Sequence, residues 1–147
     1  MTAASNNVAW IGVGKMGLPM SALVARAGYA VTAFDRSETR LAAVRGQGIS
    51  IASSPAEAVS RRPVVITSLP DDAALRAVMF GPQGRVQAMA PKSILIETST
   101  VSAEVSGEVA AATCAHDIAY LRAPVSGNAN IVHTGALTCF VSGPREA

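Results

Sequence analysis

"VAWIGVGKMGLPMSALVARAG", residues 8–28, changes character twice. Val8–Ile11 is an apolar run of strand length. It breaks at Gly12, Gly14 and Gly17. Beyond the glycines, Met20, Leu23, Val24 and Ala27 fall on one helical face, and Gly28 stands where a helix ends. The stretch therefore reads as a strand, a glycine turn and a helix. A G-x-G-x-x-G spacing alone is weak evidence, but the strand before it and the helix after it supply the context that gives it meaning. Gly12 permits the tight turn, Gly14 leaves a pyrophosphate unobstructed, and Gly17 lets helix and strand approach. Val13, Lys15 and Met16 complete the turn, and the first helix amides and the helix dipole face the phosphate charge. Pro19 is tolerated, because first-turn amides lack helical acceptors. The alternative is a glycine turn with no ligand.

Outward from this unit the pattern repeats. "AVTAFD", "ISIA", "PVVITSL", "SILIET", "IAYLRA" and "LTCFVSG" read as strands. Between them lie helical segments. Residues 37–46 turn Leu41 and Val44 inward, "SPAEAV" opens with serine then proline, and another helix covers residues 71–79. Ser102 caps a helix with a stripe of Val101, Val105, Val109 and Ala112. Strands alternating with helices make βαβ units. The expected class is α/β: a Rossmann-type, doubly wound, mostly parallel sheet with helices on both faces. Uninterrupted apolar strands agree, since a strand buried on both faces loses its alternation. Residues 1–7 are expected to form a flexible tail and residues 8–147 one dinucleotide-binding domain.

Composition narrows the function. The 147 residues are 50% hydrophobic and 15% charged, as in a globular chain. The net charge is +2, with scattered basic residues and few aromatics, which argues against a nucleic-acid surface. No apolar run nears the roughly 20 residues that span a bilayer. "MTAASNN" lacks the order of a signal peptide, so the expected compartment is the cytoplasm. Cys114 and Cys139 make no metal or redox spacing and read as small buried hydrophobes. No metal is expected.

Asp35 ends the second strand. A carboxylate there accepts both hydroxyls of an adenosine ribose and repels a 2′-phosphate, which favours NAD over NADP. Arg36 pulls the other way, because an arginine can pair with that phosphate or stack on adenine. Asp35 could instead cap the next helix.

The glycine motif, "SLPDD", "ETSTVSAE" and "APVSG" occur in that order over residues 8–143. In this the chain resembles the β-hydroxyacid dehydrogenase family, which includes 3-hydroxyisobutyrate dehydrogenase, tartronate semialdehyde reductase and 6-phosphogluconate dehydrogenase. Imine reductases share the cofactor domain and are a more distant match. The resemblance implies that Leu69 and Pro70 lie against the adenosine side of the cofactor. It implies that Ser99 and Thr100 lie toward the nicotinamide, and that Ser126, Gly127 and Asn128 hold the acid group of a hydroxyacid or semialdehyde substrate. It also implies a homo-oligomer.

The chain departs from the family pattern at several places. Arg122 stands where aspartate is frequent, Glu97 where aspartate is commoner, and Asn128 where a second glycine is usual. Leu23 replaces an asparagine, and Ala103 a proline. Asn128 is expected to tolerate a positive φ in the glycine's place. The family's catalytic lysine sits on a helical substrate and dimerisation domain, expected to be absent here. Lys15 and Lys92, the chain's lysines, read as surface groups, so no catalytic residue is assigned. His116 reads as a helix C-terminal residue, and His133 lies just beyond the substrate loop. The expected function is the cofactor-binding domain of an NAD(P)-dependent β-hydroxyacid dehydrogenase. A non-catalytic dinucleotide sensor, or an imine-reductase-like domain, is the alternative.

Overall fold

The structure is a computed structural model that describes residues 6–82 and 85–147. Six parallel strands form its centre: β1 (Asn7–Ile11), β2 (Ala30–Phe34), β3 (Ser50–Ile51), β4 (Val64–Thr67), β5 (Ile94–Glu97) and β6 (Ala119–Arg122). Their order is β3-β2-β1-β4-β5-β6. The winding reverses between β1 and β4, so the loops leaving their carboxyl ends part there and leave a crevice. Register brings the strand ends level. Ile11 lies opposite Phe34 and Thr67, Thr67 opposite Glu97, and Glu97 opposite Arg122.

The helices are α1 (Gly17–Arg26), α2 (Glu38–Val44), α3 (Pro55–Val59), α4 (Asp72–Phe80), α5 (Arg85–Ala88), α6 (Ala103–Ala115) and α7 (Ala129–Val132). Both faces of β1 are covered. Ala9 and Ile11 pack into a core with Ala58, Leu75, Val86, Val105 and Val109 from α3 to α6. Trp10 faces the opposite core, with Met20, Val44 and Val132 from α1, α2 and α7. This double burial is the reason the strand reads as continuously apolar.

Local signals set most helix starts. Ser37, Ser54, Asp71 and Ser102 each accept a backbone N–H from three residues on, and Pro55 follows its cap. Gly28 follows α1 with φ +97. The inward face of α1 is displaced from the periodicity reading. Ser21 and Ala22 are buried, Leu23 and Val24 are half-buried, and Ala27 is exposed. Close approach to the sheet selects small residues there, and Ser21 satisfies its hydroxyl by donating to the Leu18 carbonyl.

The structure corrects several readings of the sequence. Asn7 already pairs with Ala30, so it belongs to β1 and not to the tail; residues 1–5 of that tail lie outside the described residues. "LTCFVSG" is no strand of the parallel sheet. It runs antiparallel instead: β8 (Thr138–Cys139) pairs with β7 (Val125–Ser126), and Ser142 bridges Arg122 at the end of β6. A crossover of about a dozen residues is needed to return a parallel strand, and α7 is a single turn. Cys114 and Cys139 are free and exposed, not buried. The short α5 and α7 were not visible in the sequence, being too brief to show a period.

Candidate functional site

The glycine turn leaves β1 and enters α1. Its glycines differ in what their missing side chains would meet. Gly12 has φ +94, and a Cβ there would strike the Ser68 carbonyl oxygen. A Cβ on Gly17 would strike the Gly12 carbonyl oxygen and lie 3.1 Å from Trp10 Nε1. Both are glycine because the chain itself has no room. At Gly14 a Cβ meets nothing nearer than Arg40 Nη1 at 3.9 Å, and its φ is not positive. Packing therefore does not explain Gly14, whereas a ligand lying over its Cα would. Lys15 is exposed, and Met16 is half-buried as the N-cap of α1.

Asp35 faces this turn. Its Oδ2 accepts the Val13 N–H at 3.0 Å and its Oδ1 the Ser37 N–H at 2.9 Å. The cap of α2 is Ser37, so Asp35 is not the helix cap. The carboxylate instead ties the second strand's end to the glycine turn. Arg40 Nη1 stands 3.6 Å from Asp35 Oδ2. Arg36 is exposed beside it. Sequence reasoning missed Arg40. Its signal was its place one helical turn beyond Asp35, on the first turn of α2.

The turns after β4 and β5 complete the rim. Leu69 lies under the glycine turn, with its Cδ2 3.1 Å from where a Gly12 Cβ would sit. The Leu69 N–H donates to Ser99 Oγ at 2.7 Å. Pro70 and Thr100 are exposed, while Ser99 is buried. The glycine turn, Leu69–Pro70 and Ser99–Thr100 thus form one continuous edge at the carboxyl ends of β1, β4 and β5.

The loop from Pro124 to Asn128 folds back onto the α1 side. Val125 and Leu137 pack against the core that holds Val13 and Val132. Ser126 and Gly127 are exposed. Gly127 has φ +141, and a Cβ there would press on Ile131 and Leu137. The residue that needs a positive φ is therefore Gly127. Asn128 has φ −132, which corrects the expectation that it replaces a glycine's conformation. Its Oδ1 accepts the Asn130 N–H at 3.0 Å and caps α7.

The remaining titratable groups stand apart. Lys92 lies at the amino end of β5, away from the crevice, with φ +64. His116 ends α6, with Nδ1 2.9 Å from the Ala112 carbonyl oxygen, and His133 is exposed beyond α7. Among the described residues no cluster of His, Cys, Asp or Glu could hold a metal ion, and no helix is long and apolar enough to cross a membrane.

Residues 7–147 match the model of the NAD-binding domain of 6-phosphogluconate dehydrogenase. The chain belongs to this family. A 3-hydroxyisobutyrate dehydrogenase of Pseudomonas aeruginosa is 34% identical over 140 residues, 95% of this chain but 47% of the relative. A solved 3-hydroxyisobutyrate dehydrogenase of Mycobacterium tuberculosis, with L-serine, superposes with a TM-score of 0.90 at 33% identity. That match covers 96% of this chain and 47% of the other. An imine reductase of Streptomyces aurantiacus superposes with a TM-score of 0.84 at 29% identity, over 95% of this chain and 48% of that one. The domain is an NAD-binding domain of the β-hydroxyacid dehydrogenase type, and the chain spans about half the length of the curated relatives it matches.

Proposed function

We propose that this domain is the cofactor half of an NAD-dependent oxidoreductase acting on a small β-hydroxyacid or its semialdehyde. The observation that carries the reading is the open space over Gly14, at the point where the winding reverses. The pyrophosphate lies over Gly12–Gly17, against the amino end of α1. Asp35 accepts the ribose hydroxyls, and Arg36 lies against the adenosine. Leu69 and Pro70 support the adenosine side, and Ser99 and Thr100 the nicotinamide end. Ser126, Gly127 and the free amide nitrogen of Asn128 hold the substrate's acid group. 3-Hydroxyisobutyrate and L-serine, named with two of the similar proteins, both carry a hydroxyl at C3 of a carboxylic acid, which supports this substrate class.

The nicotinamide supplies the hydride acceptor or donor. The chain's residues bind and orient. A lysine on a helical domain outside these 147 residues moves the proton. The domain alone is therefore expected to bind NAD and to turn over no hydroxyacid. An absorbance assay for reduced nicotinamide, run over a panel of hydroxyacids and semialdehydes, checks this. Turnover by the domain alone would place the acid–base group within it, with His133 the first residue to test. A clear preference for NADP in calorimetry would assign Arg36 and Arg40 to a 2′-phosphate and overturn the reading of Asp35.

The partner surface is read from the β7–β8 side. Phe140 is 62% exposed and Val141 63%. Exposed aromatic and branched side chains at a sheet margin suit an interface with the helical domain or a second copy. Concentration-dependent self-association of the domain is expected in light scattering, reduced by Phe140→Ser. A strictly monomeric chain that ignores the substitution would favour a self-sufficient sensor module instead. The two free thiols are compatible with a reducing cytoplasm.

A further inference from the structure

Glu97 ends β5 and is 1% exposed. Strand alternation turns Leu95 and Glu97 fully inward, while Ile94 and Ile96 are half-buried. A sealed carboxylate is expensive unless its lone pairs are used. Here Oε1 accepts the Ser99 N–H at 2.8 Å and the Thr67 hydroxyl at 3.3 Å. The Ser99 hydroxyl oxygen in turn accepts the Leu69 N–H at 2.7 Å. Thr98 adds a second tie, donating its N–H and its hydroxyl to the Thr67 carbonyl at 3.0 and 2.7 Å. The carbonyl of Glu97 accepts the Ala123 N–H at 2.8 Å, at the head of the Pro124–Asn128 loop.

The charged and titratable neighbours lie on β6. Arg122, in register with Glu97, adds a small downward pull on the carboxyl, and the Tyr120 phenol is raised by burial first and by Glu97 after it. Burial is the largest influence, and it pushes the Glu97 carboxyl above its ordinary value of 4.5. A group raised in this way contributes stability that is complete below 4.5 and lost as the pH rises through its folded value. Burial thus opposes the charged form of Glu97 in the fold. A glutamine of the same shape would carry no charge to bury, whereas the carboxylate holds the Ser99 amide and the Thr67 hydroxyl together between two turns of the candidate site.

We propose that Glu97 is a positioning residue whose carboxylate locks the turns 67–70 and 97–100 in the orientation that accepts the dinucleotide. The proposal rests on the cofactor reading above. The test compares the unaltered protein with Glu97→Gln and Glu97→Asp, using NAD calorimetry and thermal midpoints. At neutral pH, Glu97→Gln should keep or raise the midpoint while binding NAD about tenfold more weakly, the scale of a lost charge-assisted hydrogen bond. Glu97→Asp should restore binding, because an aspartate reaches the amide two residues on in an Asx-turn. Affinity of the unaltered protein should fall as acid titrates Glu97, and this slope should be absent in Glu97→Gln. Failure of the unaltered protein to bind NAD overturns the cofactor reading, and this proposal with it. NAD binding by Glu97→Gln equal to the unaltered protein's overturns the lock alone. A lowered midpoint or failure to fold in Glu97→Gln makes Glu97 structural and also overturns it.

Discussion

Gly14→Val is expected to weaken NAD binding at least a hundredfold while leaving the domain folded. The φ at Gly14 is one that any L-residue adopts, and a Cβ there finds only Arg40 Nη1, at 3.9 Å. Arg40 has 55% of its side chain exposed and can swing aside. The fold should therefore lose no more than about 1 kcal/mol. The valine methyls would occupy the space over the turn that the pyrophosphate needs, and they would hold it away from the amides at the start of α1. Affinity should fall on the order of a hundredfold or more, equivalent to roughly 2.7 kcal/mol. Calorimetric titration of NAD with a matched urea denaturation checks both halves. Undiminished affinity would mean the cofactor does not cross this turn.

Gly12→Ala and Gly17→Ala should show the opposite behaviour, with the fold failing first. An alanine Cβ at Gly17 would overlap the Gly12 carbonyl oxygen, which also accepts the Trp10 indole N–H at 3.0 Å. At Gly12 it would overlap the Ser68 carbonyl oxygen, at a φ of +94 that alanine rarely adopts. Neither obstacle is a flexible side chain. Gly12 N–H bonds to the Phe34 carbonyl and Ser68 N–H to the Ile11 carbonyl, so relief would require the sheet to move. A loss on the order of 3 kcal/mol or more is expected at each site, read as a lower urea midpoint with unchanged slope. A methyl group is thus expected to destabilise the domain severely at two glycines of the motif, while an isopropyl at the third weakens only the binding of its ligand. Near-normal midpoints for both alanine variants would show that the turn is looser than the Ser68 and Gly12 contacts imply.

Fold class, glycine motif and most helix starts were legible in the sequence because they depend on neighbours along the chain. Val8–Ile11, Gly12, Gly14 and Gly17 follow one another, and Ser54–Pro55 and Ser102 each cap the turn that comes next. Asp35 drew notice for the same reason, standing just past the end of β2. The four ordered motifs carried the family resemblance, but they named Ser99 and Ser126 without showing what holds them.

Tertiary structure decided whatever depends on pairs distant in sequence. Asp35 could have capped α2 or faced the turn, and its bond to the Val13 N–H, across 22 residues, selected the turn. Glu97 was legible only as a departure from aspartate. Its partners appear when parallel register sets Thr67 beside it and Ser99 bonds to Leu69, 30 residues away. "LTCFVSG" has a strand's composition, yet α7 is too short for a parallel return, so it runs antiparallel to β7 and to the end of β6. Composition and local spacing fix what a segment tends to become. Which buried polar group meets which partner is set by strand order and register, and these exist only once the sheet has closed.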